Sequence, residues 1–116
     1  MINRMISKKT AEHYNWGGDC EGWHLLKSES LSVIHERMPP GRNEISHRHD
    51  RTRQLFFVLS GTLTMVFDDH TEQIASGRAL EVAPGIRHQA ANRSRSPIEF
   101  LVISQPPTKG DRTETP

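Results

Sequence analysis

The chain has 116 residues, 34% of them hydrophobic, with a mean hydropathy of −0.66 and a formal net charge of +1. That length suits one domain around one core; the near-neutral balance gives no field to draw in nucleic acid, and no apolar run approaches the ~18 residues of a membrane span. Cys20 is the only cysteine, which excludes an intrachain disulfide and suits a reducing compartment; MINRMISKKTAEHY lacks the apolar centre of a secretion signal, so a cytoplasmic protein is expected.

Residues 1–13 are polar and give little. The stretch Tyr14-Asn15-Trp16-Gly17-Gly18-Asp19-Cys20-Glu21-Gly22-Trp23 gathers both tryptophans and the only tyrosine. Such rings suit a pocket wall, a subunit interface or a plug for one end of the fold. Residues 1–22 are thus an N-terminal segment belonging to the end of the fold or to a dimer contact. Cys20 has no base at an identifiable spacing and is expected to be inert. Trp23–Lys27 and Leu31–Met38 read as strands around the turn Ser28-Glu29-Ser30. In the second, Leu31, Val33 and His35 share one face and Ser32, Ile34, Glu36 and Met38 the other. Only one of His35 and Glu36 therefore faces inward. Pro39-Pro40-Gly41 ends that strand.

The stretch Gly41–Gly61, GRNEISHRHDRTRQLFFVLSG, organises the chain. His47 and His49 are two apart, so an extended backbone points both imidazoles to one face. Gln54 opens the apolar run Leu55–Leu59 and offers an oxygen at its start. His88 follows the Pro-Gly turn of APGIRH. Imidazole is the commonest side-chain ligand of transition metals, and these four residues read as one metal-binding set. Arg42, Arg51 and Arg53 are candidates to orient an anion, and Glu81 and Glu99 are further carboxylates that suit the surface equally well. Thr62–Phe67, Thr71–Ala75, Ala79–Val82, Ile86–Asn92 and Ile98–Ser104 complete the strands. Residues 105–116, QPPTKGDRTETP, have the composition of a loop or tail. Many short strands joined by Gly/Pro turns, with no capped helical period, predict an all-β barrel or sandwich.

The two histidine motifs together resemble the cupin family. In the first, Gly41, His47, His49 and Gly61 match at the family's spacings, with Gln54 where Glu is usual. In the second, Gly77, Gly85, His88 and Asn92 match, with Ala83 where Pro is usual and Pro84 one place later. The resemblance implies a single-domain jelly-roll barrel (a double-stranded β-helix) over residues 23–104, usually dimeric, with a metal inside one mouth. It assigns His47, His49 and His88 to the three histidine ligands and Gln54 to the carboxylate ligand. The implied ion is one divalent transition metal, Zn, Ni, Mn or Fe. A neutral amide in place of Glu leaves the ion's full charge to polarise what it binds, and holds it less firmly. The His-His-Gln-His set is also similar to that of cupins that linearise unsaturated uronate sugars. Those enzymes add an Asp, an aromatic and an Arg near the last strand; residues 101–108 offer none, and Lys109, Asp111 and Arg112 lie just beyond.

Three functions are compatible with this. One is a metal-dependent isomerase, lyase or dioxygenase acting on a small polar or anionic molecule. Another is a barrel that binds or senses a small molecule without turnover. The third is a barrel kept for a homodimer surface. Neither nucleic acid nor membrane is an expected partner.

Overall fold

The computed structural model describes residues 4–116. Among them the regular structure is entirely β: β1 Glu12–Trp16, β2 Cys20–Lys27, β3 Ser32–Met38, β4 His47–Arg48, β5 Arg53–Ser60, β6 Thr62–Val66, β7 Thr71–Ala75, β8 Ala79–Val82, β9 Gln89–Ala91, β10 Ile98–Gln105 and β11 Thr113–Glu114. Among the described residues no helix is long and apolar enough to cross a membrane.

A six-stranded antiparallel sheet runs β1-β2-β3-β10-β5-β8, with a three-stranded sheet β7-β6-β9 and the pair β11-β4. Alternation along the central strands decides what is buried. In β5, Gln54, Phe56 and Val58 are buried, while Leu55 and Leu59 are left outside. In β10, Ile98, Phe100, Val102 and Ser104 are buried. Met38 joins these from β3, and Leu63, Met65 and Ala90 close the core from the smaller sheet. Phe100 is fully buried, and truncating such a ring to Ala costs about 3–5 kcal/mol. The apolar run Leu55–Leu59 therefore divides between the core and the outer surface.

The turn from β5 to β6 needs a glycine twice over. Gly61 has φ +82°, and a Cβ there would stand 2.6 Å from Ile98 Cγ2.

Two polar segments, residues 12–22 and 105–116, are more ordered than their composition predicts. Residues 12–16 form β1, and the next strand begins at Cys20 rather than Trp23. At the other end, Thr113 and Glu114 pair with Arg48 and His47. In each case backbone pairing and a few buried side chains set the conformation, and neither leaves a hydrophobic pattern in the sequence.

Candidate metal centre

Two segments far apart in the chain are stitched together by backbone bonds at the histidines. His47 N–H donates to His88 O (3.0 Å), and His88 N–H donates to His47 O (2.8 Å). Gly85 N–H donates to His49 O at 2.6 Å. Asn92 locks the same junction: its buried Nδ2 donates to Met38 O (2.9 Å) and Ser96 O (2.8 Å), and its carbonyl accepts from Gly41 N–H. The Gly41 and Asn92 of the two motifs thus serve the frame that holds the histidines.

His47, His49 and His88 are all buried, and one ligand atom from each lies within 4.8 Å of the other two. Their ring centroids are 4.5–5.7 Å apart. Each Nδ1 has a backbone carbonyl partner: Ile45 for His47 (2.7 Å), Asp111 for His49 (2.6 Å) and Ile86 for His88 (2.9 Å). A neutral imidazole donates through the nitrogen that faces a carbonyl, so every ring is fixed with its Nε2 lone pair free. Desolvation pushes His47 down to about 3 and lowers His88 and His49 in the same direction, so all three are neutral at neutral pH.

The fit to a metal rests on atoms that find no partner. His49 Nε2, His88 Nε2 and Gln54 Oε1 are buried and lack any hydrogen bond within the described structure. An unsatisfied buried polar atom costs about 1–3 kcal/mol, and a cation held by the histidine cluster would satisfy these lone pairs; His24 Nδ1, away from the cluster, is unpartnered as well. Gln54 is oriented with its oxygen open. Its Nε2 donates to Ser104 Oγ at 3.1 Å across the β5–β10 ladder, which leaves the oxygen free. Three imidazoles and an oxygen suit a divalent transition metal and leave positions open for a further ligand.

The cavity beside the histidines has a volume of about 400 Å³, within the range of small-molecule sites. Tyr14, Glu36, Glu44, Phe56 and Arg112 line it together with His47, His49 and Gln54. Tyr14 and Trp16 thus realise the pocket-wall reading of the aromatic segment. Trp23 instead faces away, among His13, His35 and Lys8.

Several expectations for charged residues need correction. Arg42, Arg51 and Arg53 do not reach the cavity: Arg42 pairs with Asp19 at 2.7 Å, Arg53 pairs with Glu81 at 3.7 Å, and Arg51 is exposed. The arginine that lines it is Arg112, from the C-terminal segment. Of the two β3 residues left open, Glu36 is the inward one, and His35 pairs with Glu99 at 2.7 Å on the opposite face. Glu81 is exposed. Cys20 is buried, and burial pushes its thiol up to about 11, as an inert residue requires.

Asp111 explains how the C-terminal segment is held. Its carboxylate accepts from the backbone N–H of Asp50 (2.8 Å), Arg51 (2.9 Å) and Thr52 (2.9 Å) and from Thr52 Oγ1 (3.1 Å). The N–H donors, Arg51 first, hold its pKa down at about 2. One residue therefore fixes the loop after His49, orients the His49 ring through its carbonyl and places Arg112. Sequence reasoning assigned no role to Asp111; its only signal was an acidic residue in a polar tail.

The cupin domain family model matches residues 34–104. A relative from Methanocaldococcus jannaschii, itself uncharacterised, is 23% identical over 91 residues, covering 78% of this chain and 73% of its own. Among solved structures, a conserved double-stranded β-helix protein from Klebsiella pneumoniae superposes with a TM-score of 0.81 at 19% identity, covering 99% of both chains. A predicted oxalate decarboxylase from Thermotoga maritima gives 0.81 at 17% identity over 90% of this chain and 100% of its own. At these identities the likeness speaks for the fold alone.

Proposed function

The chain belongs to the cupin family, and on that premise we propose that it is a metal-dependent enzyme of isomerase, lyase or dioxygenase type acting on a small anionic organic molecule. The observation that carries this is the set of unpartnered acceptor atoms, His49 Nε2, His88 Nε2 and Gln54 Oε1, beside a cavity that also presents Arg112. His47, His49 and His88 would hold the ion, with Gln54 as the fourth ligand. Bound there, a divalent metal supplies a Lewis acid for a carbonyl or carboxylate, or a site for O2 if it is iron. Arg112 would bind the carboxylate of the substrate through its planar fork. The tightly held loop 50–52 would keep solvent from the back of the His49 ring. The likeness to a predicted oxalate decarboxylase is consistent with an anionic substrate but rests on fold only.

The alternative is a barrel that binds its ligand without turnover. It would use the same atoms and differ only in what happens after binding. We further propose a homodimer built on the outward face of the large sheet, where Leu55 and Leu59 remain exposed, and a cytoplasmic location, in keeping with the unpaired Cys20.

The test is metal analysis of protein purified without chelator, followed by binding and turnover of small carboxylic acids. About one equivalent of metal, lost in a His47→Ala/His88→Ala variant, is the expected result. Protein that takes up no divalent ion, even when supplied in excess, would overturn the reading. Tight binding of an acid that is never converted would favour the alternative.

A further inference from the structure

The cavity has a second polar pole that metal binding leaves without a role. Tyr14, Gly22 and Glu36 lie at one level across β1, β2 and β3, Tyr14 paired with Gly22 and Gly22 with Glu36. Residues paired in this way share one face of the sheet. A side chain from β1 reaches β3 only over an empty place on β2. Gly22 provides it, because a Cβ there would stand 2.3 Å from Tyr14 Cζ and 2.6 Å from its hydroxyl. The ring lies over the glycine, and the hydroxyl donates to Glu36 Oε2 at 3.2 Å. Among the described residues no donor takes the other carboxylate oxygen, and Glu36 lines the cavity.

We propose that Glu36, held in place by Tyr14, is the proton-transfer group of this site, and that the substrate is a small 2-oxo acid. Its carboxylate sits on Arg112 and the carbon beside its carbonyl turns to Glu36. This rests on the metal-enzyme reading above. The Glu36 carboxylate takes a proton from that carbon. The C–H electron pair becomes the new C=C bond, and the carbonyl π pair moves to oxygen. Return of a proton to the same carbon gives exchange; where that carbon carries a hydroxyl, the hydroxyl proton passes to the enolate oxygen, and protonation of the former carbonyl carbon gives the isomer with carbonyl and hydroxyl interchanged. Nothing is oxidised and nothing is lost.

The surroundings suit the task. The titratable and charged groups turned to this pair are Tyr14 on β1, Cys20 and His24 on β2, Glu44 from the segment after β3, and Arg112; the His24 ring is 5.0 Å from that of Tyr14. On the β10 side the neighbour of Glu36 is Phe100. Desolvation, with Glu44 adding to it, pushes Glu36 up to about 8, and Glu44 itself is pushed up to about 7. A carboxyl group in that range both takes and returns protons near neutral pH.

The probe is pyruvate, with zinc-loaded protein in D2O and loss of the methyl signal followed by proton NMR. Wild type is expected to accelerate exchange. Glu36→Gln should lower the rate at least tenfold with zinc content unchanged. Tyr14→Phe and Gly22→Ala should both raise the pH midpoint of exchange, because each removes the hydrogen bond that favours the Glu36 carboxylate. A second measurement needs no turnover: with 13C-labelled glutamate carboxyls, the one signal missing from Glu36→Gln should titrate well above the ordinary carboxylate range. Exchange that zinc-loaded wild type does not accelerate, exchange as fast in Glu36→Gln, or a Glu36 signal titrating in the ordinary range overturns the proposal. If zinc is never bound but the Glu36 signal still titrates high, the metal reading falls and the placement of the Glu36–Tyr14 pair is supported.

Discussion

The two poles of the cavity are built from opposite chemistry and meet the same physics. At one, three imidazoles lie on β4, on the loop after it and before β9. At the other, two carboxyls and a phenol lie on β1, on β3 and on the segment after β3. Burial disfavours charge at both, but it lowers the histidines and raises the acids. The result at neutral pH is a pole of bare acceptors facing a pole that readily holds protons. The poles differ in how they are secured. Each histidine is anchored through Nδ1 to a backbone carbonyl, whereas Glu36 is anchored by one phenol that depends on a glycine. A rigid acceptor pole suits an ion that demands fixed geometry, and a loosely tied acid suits a group that must change its proton.

The strongest way to break this comparison is to delete an acceptor. His88→Ala removes one of the three buried imidazoles of the proposed metal centre. Metal affinity should fall by more than the ~10–100-fold typical when a group behind a ligand is lost, as read by calorimetric titration. A His88→Ala variant that retains its metal would mean the acceptor pole is not a metal centre. Asp111→Ala tests the anchoring rather than the ligand. It removes the clamp on residues 50–52 and loosens the carbonyl that orients His49. Affinity should fall about 10–100-fold with His49 still in place, and Arg112 should be released with it. Unchanged affinity would show that loop 50–52 holds itself.

The difference between the poles also explains what was legible in the sequence. His47, His49 and His88 were readable because a metal needs particular residue types at particular spacings, and an extended backbone fixes the facing of an i, i+2 pair. The β class followed from alternation in β5, β6 and β10. Gln54 was singled out from its place at the start of an apolar run, and the structure buries it with its oxygen unpartnered. The carboxyl pole was not, because Tyr14, Gly22 and Glu36 become neighbours only through pairing of three strands, and no spacing encodes that. Glu36 was one of two residues on opposite faces of β3, and the sequence could not say which was inside. Asp111 and Arg112 stood out only as charged residues just past the last strand, on a segment able to fold back over the mouth; what each does there was not legible, because a polar tail and a tail clamped by four hydrogen bonds to a distant loop have the same composition.

A milder test sharpens the electrostatic half of the comparison in the metal-free protein. His47 drops from 6.5 unfolded to about 3 folded, so between those values the unfolded chain holds more protons and stability falls as the pH falls. Glu36 rises from 4.5 to about 8, so in that window the folded chain holds more protons and stability falls as the pH rises. The two slopes cancel where the windows overlap, so their joint contribution rises up to about pH 4.5, is level from there to about 6.5, and declines on the alkaline side. At about 1.4 kcal/mol per pH unit for one group, Glu36 accounts for on the order of 2 kcal/mol lost between pH 6.5 and 8. Glu36→Gln should remove most of that decline in denaturant titrations, turn the level stretch between pH 4.5 and 6.5 into a continued rise, and leave the slope below pH 4.5 unchanged. An alkaline decline of the same size in the variant would put the desolvated acid elsewhere.

The finest adjustment exchanges one atom at the acceptor pole. Gln54 gives its nitrogen to Ser104 and keeps its oxygen unpartnered. In Gln54→Glu the Ser104 hydroxyl can turn to donate to one carboxylate oxygen, and the other faces the ion. Without metal, the new charge lies in a desolvated place and should destabilise the fold at neutral pH. With metal, the same charge offsets part of the ion's own and should hold it about tenfold more tightly, equal to ~1.4 kcal/mol. The variant should therefore be weaker when stripped and stronger when loaded, with the two melting curves crossing those of wild type in opposite senses. Ser104→Ala supplies the complement. It frees the amide to turn its nitrogen toward the ion, and affinity should fall. If neither substitution changes metal retention, Gln54 is a member of the β5–β10 ladder and not a ligand, and the acceptor pole consists of the three histidines alone.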